Sequence, residues 1–158
     1  DLLCTIPGVG QRVANVILAE TGGDMSPFPT AGHLASWAGL SPGNDESAGK
    51  RRNTRTRPGN VWLTDALTQA AWSAARSKDN FLHARFWRLA RRIGKKKAAI
   101  AIAHQILAIV WWILTTNTAY QDLGGDWYQR YDNPQHRTDK LVRQLESLGH
   151  KVTLTPAA

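Results

Sequence analysis

The sequence predicts an all-α fold, and three observations support that prediction. Apolar residues recur at the three- and four-residue spacing of helices along most of the chain. Capping residues and glycines separate these segments. The chain has 158 residues, 42% of them hydrophobic and 20% charged, which is enough for a domain with its own core. We therefore expect a helical domain with one irregular basic loop and a C-terminal helical appendage.

The first predicted elements are a turn and two helices. Residues 6–10, with the sequence Ile-Pro-Gly-Val-Gly, predict a tight turn that leads into a helix over 11–21. The pair Gly22-Gly23 is suited to end that helix, because glycine adopts the left-handed conformation of a C-cap. Thr30 is expected to cap a short helix that reaches Trp37.

Residues 39–59 form the predicted basic loop, and whether it contains a short hairpin is left open. Asn60 is suited to cap the next helix, over 61–76. The expected core face of this helix consists of Trp62, Ala66, Leu67, Ala70 and Ala71.

The second half of the chain predicts three more helices. Asp79 is expected to cap a helix that ends at Ile93, where Gly94 interrupts the pattern. Residues 95–116 form the most apolar helix. Its run from 98 to 114 approaches the length of a membrane span, but His104 and Gln105 lie within it, so we interpret it as a core helix and expect no membrane partner.

A break at Gly124-Gly125 precedes the last predicted helix, which begins at Pro134, reaches Leu148 and has Gly149 as its C-cap. This helix is polar, with charges of both signs. The predicted domains are residues 1–125 and 126–158.

The net charge is the strongest compositional signal. Twenty Lys and Arg against twelve Asp and Glu give a formal charge of +8, which favours a polyanionic partner, nucleic acid first. The seven tryptophans are expected mostly to fill the core. The single cysteine, Cys4, fits a reducing cytoplasm and is expected to be a small buried apolar residue. The chain begins at Asp1 without an initiator Met, so we expect a fragment of a longer protein.

The turn at residues 6–10 is the hairpin of a helix-hairpin-helix motif. Gly8 and Gly10 would let the backbone approach a phosphate, and unpaired amides at the start of the following helix would point at it. Such contacts do not depend on base sequence. The alternative is a corner that only packs.

The basic loop places the Ser47 hydroxyl among five cations. Ser47-Ala48-Gly49-Lys50-Arg51-Arg52 is followed by Arg55 and Arg57, and no acid occurs from Ser47 to Thr64. The arginine fork matches phosphate oxygens, and lysine supplies a compact charge. This loop is therefore suited to attack or hold a phosphodiester, with a merely solvated basic loop as the alternative.

A second cationic cluster follows, without an acid between Asp79 and Asp122. Its members are Arg85, Arg88, Arg91, Arg92, Lys95, Lys96 and Lys97. Arg85, Arg88 and Arg92 share a helical face, which predicts contact along a phosphate backbone. The five histidines lack the paired spacing of zinc ligands, so we predict no metal or cofactor in this chain.

Five short motifs follow one another along the chain. They are Ile6-Pro7-Gly8-Val9-Gly10, Ala35-Ser36-Trp37-Ala38-Gly39-Leu40-Ser41-Pro42, Ser47 to Arg52, Pro58-Gly59-Asn60, and Ala70-Ala71-Trp72. This series resembles the C-terminal domain of the insertion-sequence 110 family of bacterial transposases, which are related to Piv-type DNA invertases.

The resemblance implies a transposase or site-specific recombinase whose Ser-x-Gly serine is Ser47. Ser47 would be the nucleophile, Gly49 would let the backbone pass close to the phosphate, and Lys50, Arg51 and Arg52 would hold it. Magnesium would be bound by four acids of an N-terminal RuvC-like domain, so this chain alone is expected to be inactive. The implied partners are DNA, a structured guide RNA, the RuvC-like domain and a second copy of the protein, in the bacterial cytoplasm at the nucleoid.

Two alternatives belong to other functional classes. One is a non-enzymatic helix-hairpin-helix module of a repair or recombination protein, which would tolerate Ser47→Ala. The other is a protein-interaction domain whose basic faces bind an acidic partner protein. Competition by DNA at moderate salt would distinguish this domain from the DNA-binding candidates.

Overall fold

The computed structural model describes residues 1–41, 45–47, 50–53, 58–131 and 134–155, with the backbone alone for 45–47 and 50–53. A 3-10 turn over Leu2–Thr5 comes first. The helices that follow are α1 (Gln11–Thr21), α2 (Ala31–Trp37), α3 (Val61–Arg76), α4 (Phe81–Ile93), α5 (Lys95–Thr116), α6 (Trp127–Arg130) and α7 (Pro134–Ser147). Two short antiparallel strands, β1 (Asp45–Ser47) and β2 (Lys50–Asn53), lie between α2 and α3. The all-α prediction is confirmed, and the basic loop contains a hairpin.

The chain forms two compact units, Asp1–Asp126 and Trp127–Ala158. In the second unit the ring of Trp127 lies 4.9 Å from those of Tyr128 and Tyr131, measured between centroids. In the same unit, α7 presents Leu141 and Leu145 to solvent.

Helix α5 forms the centre of the first unit, where it packs against α2, α3 and α4. By length and composition it could cross a membrane. Its inward face is nevertheless buried within the protein, with Ile102, Ile106 and Val110 fully inaccessible. This is the packing of a core helix.

The N-caps of three helices show where capping residues in the sequence were sufficient to predict the start of a helix. The side chain of Thr30 accepts a hydrogen bond from the amide of His33, and that of Asn60 accepts from Leu63. These two caps confirm the predictions. The predicted cap of α4 is wrong.

The N-cap of α4 is Asn80, not Asp79. The Asn80 Oδ1 accepts from the amide of His83 at 2.8 Å, and its backbone is extended, as an N-cap requires. Asp79 instead has φ 60°, a left-handed conformation that excludes it from the cap position.

The prediction that tryptophans fill the core is wrong, because none of the seven is buried. Trp62, which was expected on the core face of α3, is 75% exposed. Alanines such as Ala71 and Ala74 of α3 and Ala103 of α5 occupy the buried helical faces instead. These small side chains let the helices approach closely, and the half-buried Trp72 packs its ring 5.4 Å from that of Phe86.

Cys4 also differs from its prediction, because it is exposed. Its sulfur lies 3.7 Å from the Oε1 of Gln11. The neighbouring Leu3 and Ile6 supply the buried side chains of this segment.

Candidate nucleic-acid interface

Gly8 lies in the turn before α1 with φ 88°, and it packs against α3. A Cβ at this position would collide with the carbonyl oxygen of Ala70 and lie 2.7 Å from the amide nitrogen of Ala74. Packing therefore requires a glycine here, whatever the turn binds. The phosphate contact of Gly8 stays a prediction.

Gly10 is the N-cap of α1 and has different surroundings. It is exposed, and a Cβ there would meet no atom within 4 Å. Among the residues that the structure describes, no side chain caps this end of α1. First-turn amides have no intrahelical partner, and the helix dipole favours an anion beside them. A 3-10 turn over Leu2–Thr5 lies before the glycine turn, and the helix-hairpin-helix assignment stays a prediction.

The hairpin positions the predicted nucleophile. Its register pairs Ser47 with Lys50, Glu46 with Arg51 and Asp45 with Asn53, with an irregularity between Asp45 and Glu46. The fold thus brings the backbone of Ser47 opposite that of Lys50. Arg52 lies on the same strand as Lys50. Three other predicted site residues, Gly49, Arg55 and Arg57, lie outside the described residues.

The base of the hairpin loop is held by what we call the neck, formed by Ala38 and Gly39 on one side and Gly59 and Asn60 on the other. A Cβ at Gly59 would collide with the carbonyl group of Ala38 and the amide nitrogen of Gly39. The Oγ1 of Thr64 also donates to the Ala38 carbonyl at 2.8 Å. The two ends of the loop therefore meet at one point of the helical core.

Helices α1 and α3 connect the neck to the glycine turn. At the neck, the Nδ2 of Asn60 donates to the Oε2 of Glu20 at 2.6 Å. At the other end of α1, Gly8 packs against Ala70 and Ala74. The two helices therefore run antiparallel, and the 11 residues of α1 place the Gly10 end roughly 16 Å from the neck, at 1.5 Å per residue.

Arg85 does not share the surroundings of the rest of its predicted stripe. It is half-buried, its Nε is inaccessible, and its guanidinium carbon lies 5.9 Å from the Phe81 ring centroid. Burial lowers the pKa of His104 on α5, and the positive charge of Arg85 lowers that pKa further. Arg85 therefore faces α5, whereas Arg88 and Arg92 are exposed.

The exposed cations of the second cluster gather at the junction of α4 and α5. Gly94 separates the two helices with φ 83°, and Lys95, Lys96 and Lys97 form an exposed first turn of α5. The Nζ of Lys95 lies 5.4 Å from the Trp87 ring centroid. This surface is cationic and partly aromatic, which suits a phosphate backbone.

Trp62 and Arg12 are candidate functional residues that the sequence prediction missed. They line one groove between α1 and α3. The buried residues Leu63, Leu67 and Ala70 define the core face of α3, and Trp62 lies one position before the first of them. Helical periodicity centred on Leu63 would have placed Trp62 at the edge of that face.

Metal ligands are not gathered in the part of the chain that the structure describes. No three His, Cys, Asp or Glu residues lie close enough there to hold an ion. The family resemblance assigns its magnesium ligands to the RuvC-like domain, not to these residues.

Sequence comparisons identify the relatives of this chain. Residues 1–86 match the model of the family described as "Transposase IS116/IS110/IS902 family". The chain is 32% identical over 128 residues to the putative transposase y4pF/y4sB of Sinorhizobium fredii, an alignment that covers 78% of this chain and 33% of that protein. It is 32% identical over 123 residues to the insertion element IS110 uncharacterized 43.6 kDa protein of Streptomyces coelicolor, covering 76% and 30%.

A shorter alignment joins the chain to the pilin gene-inverting protein of Moraxella bovis. It is 47% identical over 47 residues, which are 30% of this chain and 14% of that protein. The chain spans about a third of the length of the transposase relatives that it matches. The family match covers more than half of the chain and confirms the resemblance seen in its ordered motifs. The chain therefore belongs to the IS116/IS110/IS902 family of transposases.

Proposed function

We propose that this chain is the DNA-binding, nucleophile-bearing part of a recombinase that cuts and rejoins DNA through Ser47. The observation that carries this proposal is the hairpin register, which sets Ser47 opposite Lys50 on strands that also carry Arg51 and Arg52. The neck fixes the ends of the hairpin loop to the helical core. Family membership supports a transposase-type role in handling DNA.

The proposed step is a phosphoryl transfer to the protein. The Ser47 Oγ attacks phosphorus, an Oγ–P bond forms, and the P–O bond to one DNA strand end breaks. The serine proton passes to a base, and the leaving oxygen takes up a proton. Rejoining reverses these events, so the phosphodiester energy is conserved and no ATP is needed. Lys50, Arg51 and Arg52 would stabilise the charge on the phosphoryl oxygens.

The remaining components of the active site would come from outside this chain. Serine is a weak nucleophile until a base activates it. We propose that an acidic RuvC-like domain supplies that base and holds magnesium, which would neutralise phosphoryl charge. DNA would be the main partner, with a structured guide RNA and a second copy of the protein as further partners, in the bacterial cytoplasm at the nucleoid.

A non-enzymatic DNA-binding module is the second candidate function. The exposed Gly10 end of α1 and the cations around Gly94 would bind a phosphate backbone without any contribution from Ser47. Both candidates predict DNA binding, and only the recombinase requires the Ser47 hydroxyl.

Binding of this chain to duplex DNA is expected to be strongly salt-dependent, with little sequence preference. Contacts to about 5–8 phosphates would give a slope of log K against log salt of roughly −4 to −7, because each neutralised phosphate releases counterions. Fluorescence anisotropy between low and physiological salt measures the slope. Affinity that does not change with salt would contradict the proposed interface.

Replacing Arg51 and Arg52 together with Ala is expected to weaken duplex binding about tenfold or more and to reduce the salt slope by roughly 2. Because the proposed role places both side chains against DNA and not in the core, thermal unfolding should change by less than about 0.5 kcal/mol. The matched control replaces Arg137 and Arg143, two exposed arginines of α7, with the same loss of charge. Equal weakening by both double variants, or a large loss of stability in the first, would contradict the assigned role of the hairpin.

A further inference from the structure

We propose that the groove between α1 and α3 binds an unpaired nucleobase, which stacks on Trp62. This inference rests on the proposed function, and it adds a binding site and a chemical class of ligand that the function alone does not assign. Strand cutting and rejoining expose unpaired nucleotides, so a site for one of them would hold the DNA in place between the two steps.

The groove has the size and the surface for a single planar ring. Its volume is about 210 Å³, below the roughly 300–1,000 Å³ of pockets for drug-sized ligands. Val16 of α1 and Trp62 of α3 supply apolar surface. Trp62 is 75% exposed, the highest exposure of the four tryptophans that are more than a third exposed. Stacking on an exposed aromatic side chain is how proteins hold bases without sequence preference.

The polar residues of the groove favour a nucleobase over an apolar protein segment. Glu20 and Asp65 place carboxylates along it, and Arg12 adds a guanidinium. The Glu20 carboxylate is held by Asn60 at 2.6 Å, and that of Asp65 accepts from Gln69 at 2.8 Å. The edge of a base offers amino and ring N–H donors as well as acceptors, which can pair with these groups. An apolar segment would bury them without new partners, which is costly.

The position of the groove supports the same ligand. One end lies at the neck, where Asn60 contacts Glu20, and the other lies at the first turn of α1, which contains Arg12. The first end therefore lies where the Ser47 hairpin joins the helical core, and the second lies beside Gly10 at the start of α1. The roughly 16 Å length of α1 corresponds to between four and five base steps at about 3.4 Å each. A strand that contacts both ends would pass its bases over Trp62.

The experiment compares two duplexes of about 20 base pairs that differ only by one unpaired nucleotide. We expect this chain to bind the duplex with the unpaired base about tenfold more tightly, as a single stacked base allows. Trp62→Ala should remove that preference while leaving affinity for the paired duplex within about twofold, and Trp62→Phe should retain part of it. A third duplex, with an unpaired abasic site, should lose the preference in the unchanged protein.

Trp112→Ala is the matched control, because Trp112 is also an exposed tryptophan, on α5. It should leave the preference unchanged. The inference is overturned if the unchanged protein shows no preference for the unpaired base, if the abasic duplex binds equally well, or if both tryptophan variants behave alike. It is also overturned if Trp62→Ala changes only the oligomeric state in size-exclusion chromatography, which would make Trp62 a protein contact. Absence of binding to all three duplexes would refute the proposed function itself.

Discussion

Ser47→Ala is expected to abolish covalent protein–DNA adducts and strand exchange in a protein that joins this chain to the proposed RuvC-like domain. The loss should be at least about 10³-fold, because no other group replaces the nucleophile. DNA binding should be retained, since the cations and helix amides are unchanged. This chain by itself is expected to be catalytically silent even with Ser47 present. A denaturing gel of the joined protein with labelled DNA and magnesium detects the adduct.

Ser41 provides the matched control, because it is a nearby serine outside the strands of the hairpin. Ser41→Ala is expected to have only a mild effect on adduct formation. Adducts that persist in Ser47→Ala but disappear in Ser41→Ala would show that the nucleophile is the other hydroxyl. Adducts that persist in both variants would refute a serine mechanism.

Gly8→Ala is expected to destabilise the fold by about 3 kcal/mol or more. Two effects add at this position: φ is 88°, which L residues rarely adopt, and the new Cβ would collide with the carbonyl oxygen of Ala70 on α3. Backbone atoms cannot move aside as a flexible side chain can, so α1 and α3 would have to separate. Urea unfolding followed by circular dichroism measures the change.

Gly10→Ala is the comparison for Gly8→Ala, two residues further along the same turn. A Cβ at Gly10 meets no atom within 4 Å, and alanine is only a poorer N-cap, so the cost should stay within about 1 kcal/mol. If the two variants were equally stable, the close packing of Gly8 against α3 would be contradicted.

The local signals in the sequence were sufficient for most helix boundaries. Thr30 and Asn60 cap their helices as predicted, because an N-cap depends on a hydrogen bond within a few residues. The C-cap at Gly22 is predictable for the same reason, since only its own φ of 71° is required. Asp79 and Asn80 are adjacent and both suited to capping, so the choice between them depended on the path of the chain into α4.

Burial was harder to predict because it depends on which helices meet. Trp62 has the size and hydrophobicity of a core residue, yet leucines and alanines such as Leu63, Leu67 and Ala71 fill the buried face of α3. Only part of the role of Gly8 could be predicted. The turn conformation depends on neighbouring residues, but the contact with Ala70 joins residues far apart in the sequence. The spacing of Arg85 and Arg88 places them on one helical face. In the structure, however, Arg85 is half-buried beside the Phe81 ring, whereas Arg88 is exposed.

For the candidate site, the sequence predicted which residues take part, and the structure showed which of them lie opposite each other on the two strands. The Ser-x-Gly motif indicated Ser47, and the strand register then showed that Lys50 is its cross-strand partner. The base for Ser47 could not be predicted, because no motif in the sequence pairs a general base with that serine.

The neck has a consequence for how such chains diverge. Both ends of the hairpin loop meet where Gly59 contacts Ala38 and Gly39, so the spacing of α2 and α3 is set there and not by the residues between. Loop closure costs only about 0.6 kcal/mol for each doubling of length. Insertions and deletions in the hairpin loop can therefore change its length without disturbing the helices, because both of its ends stay fixed to the same frame.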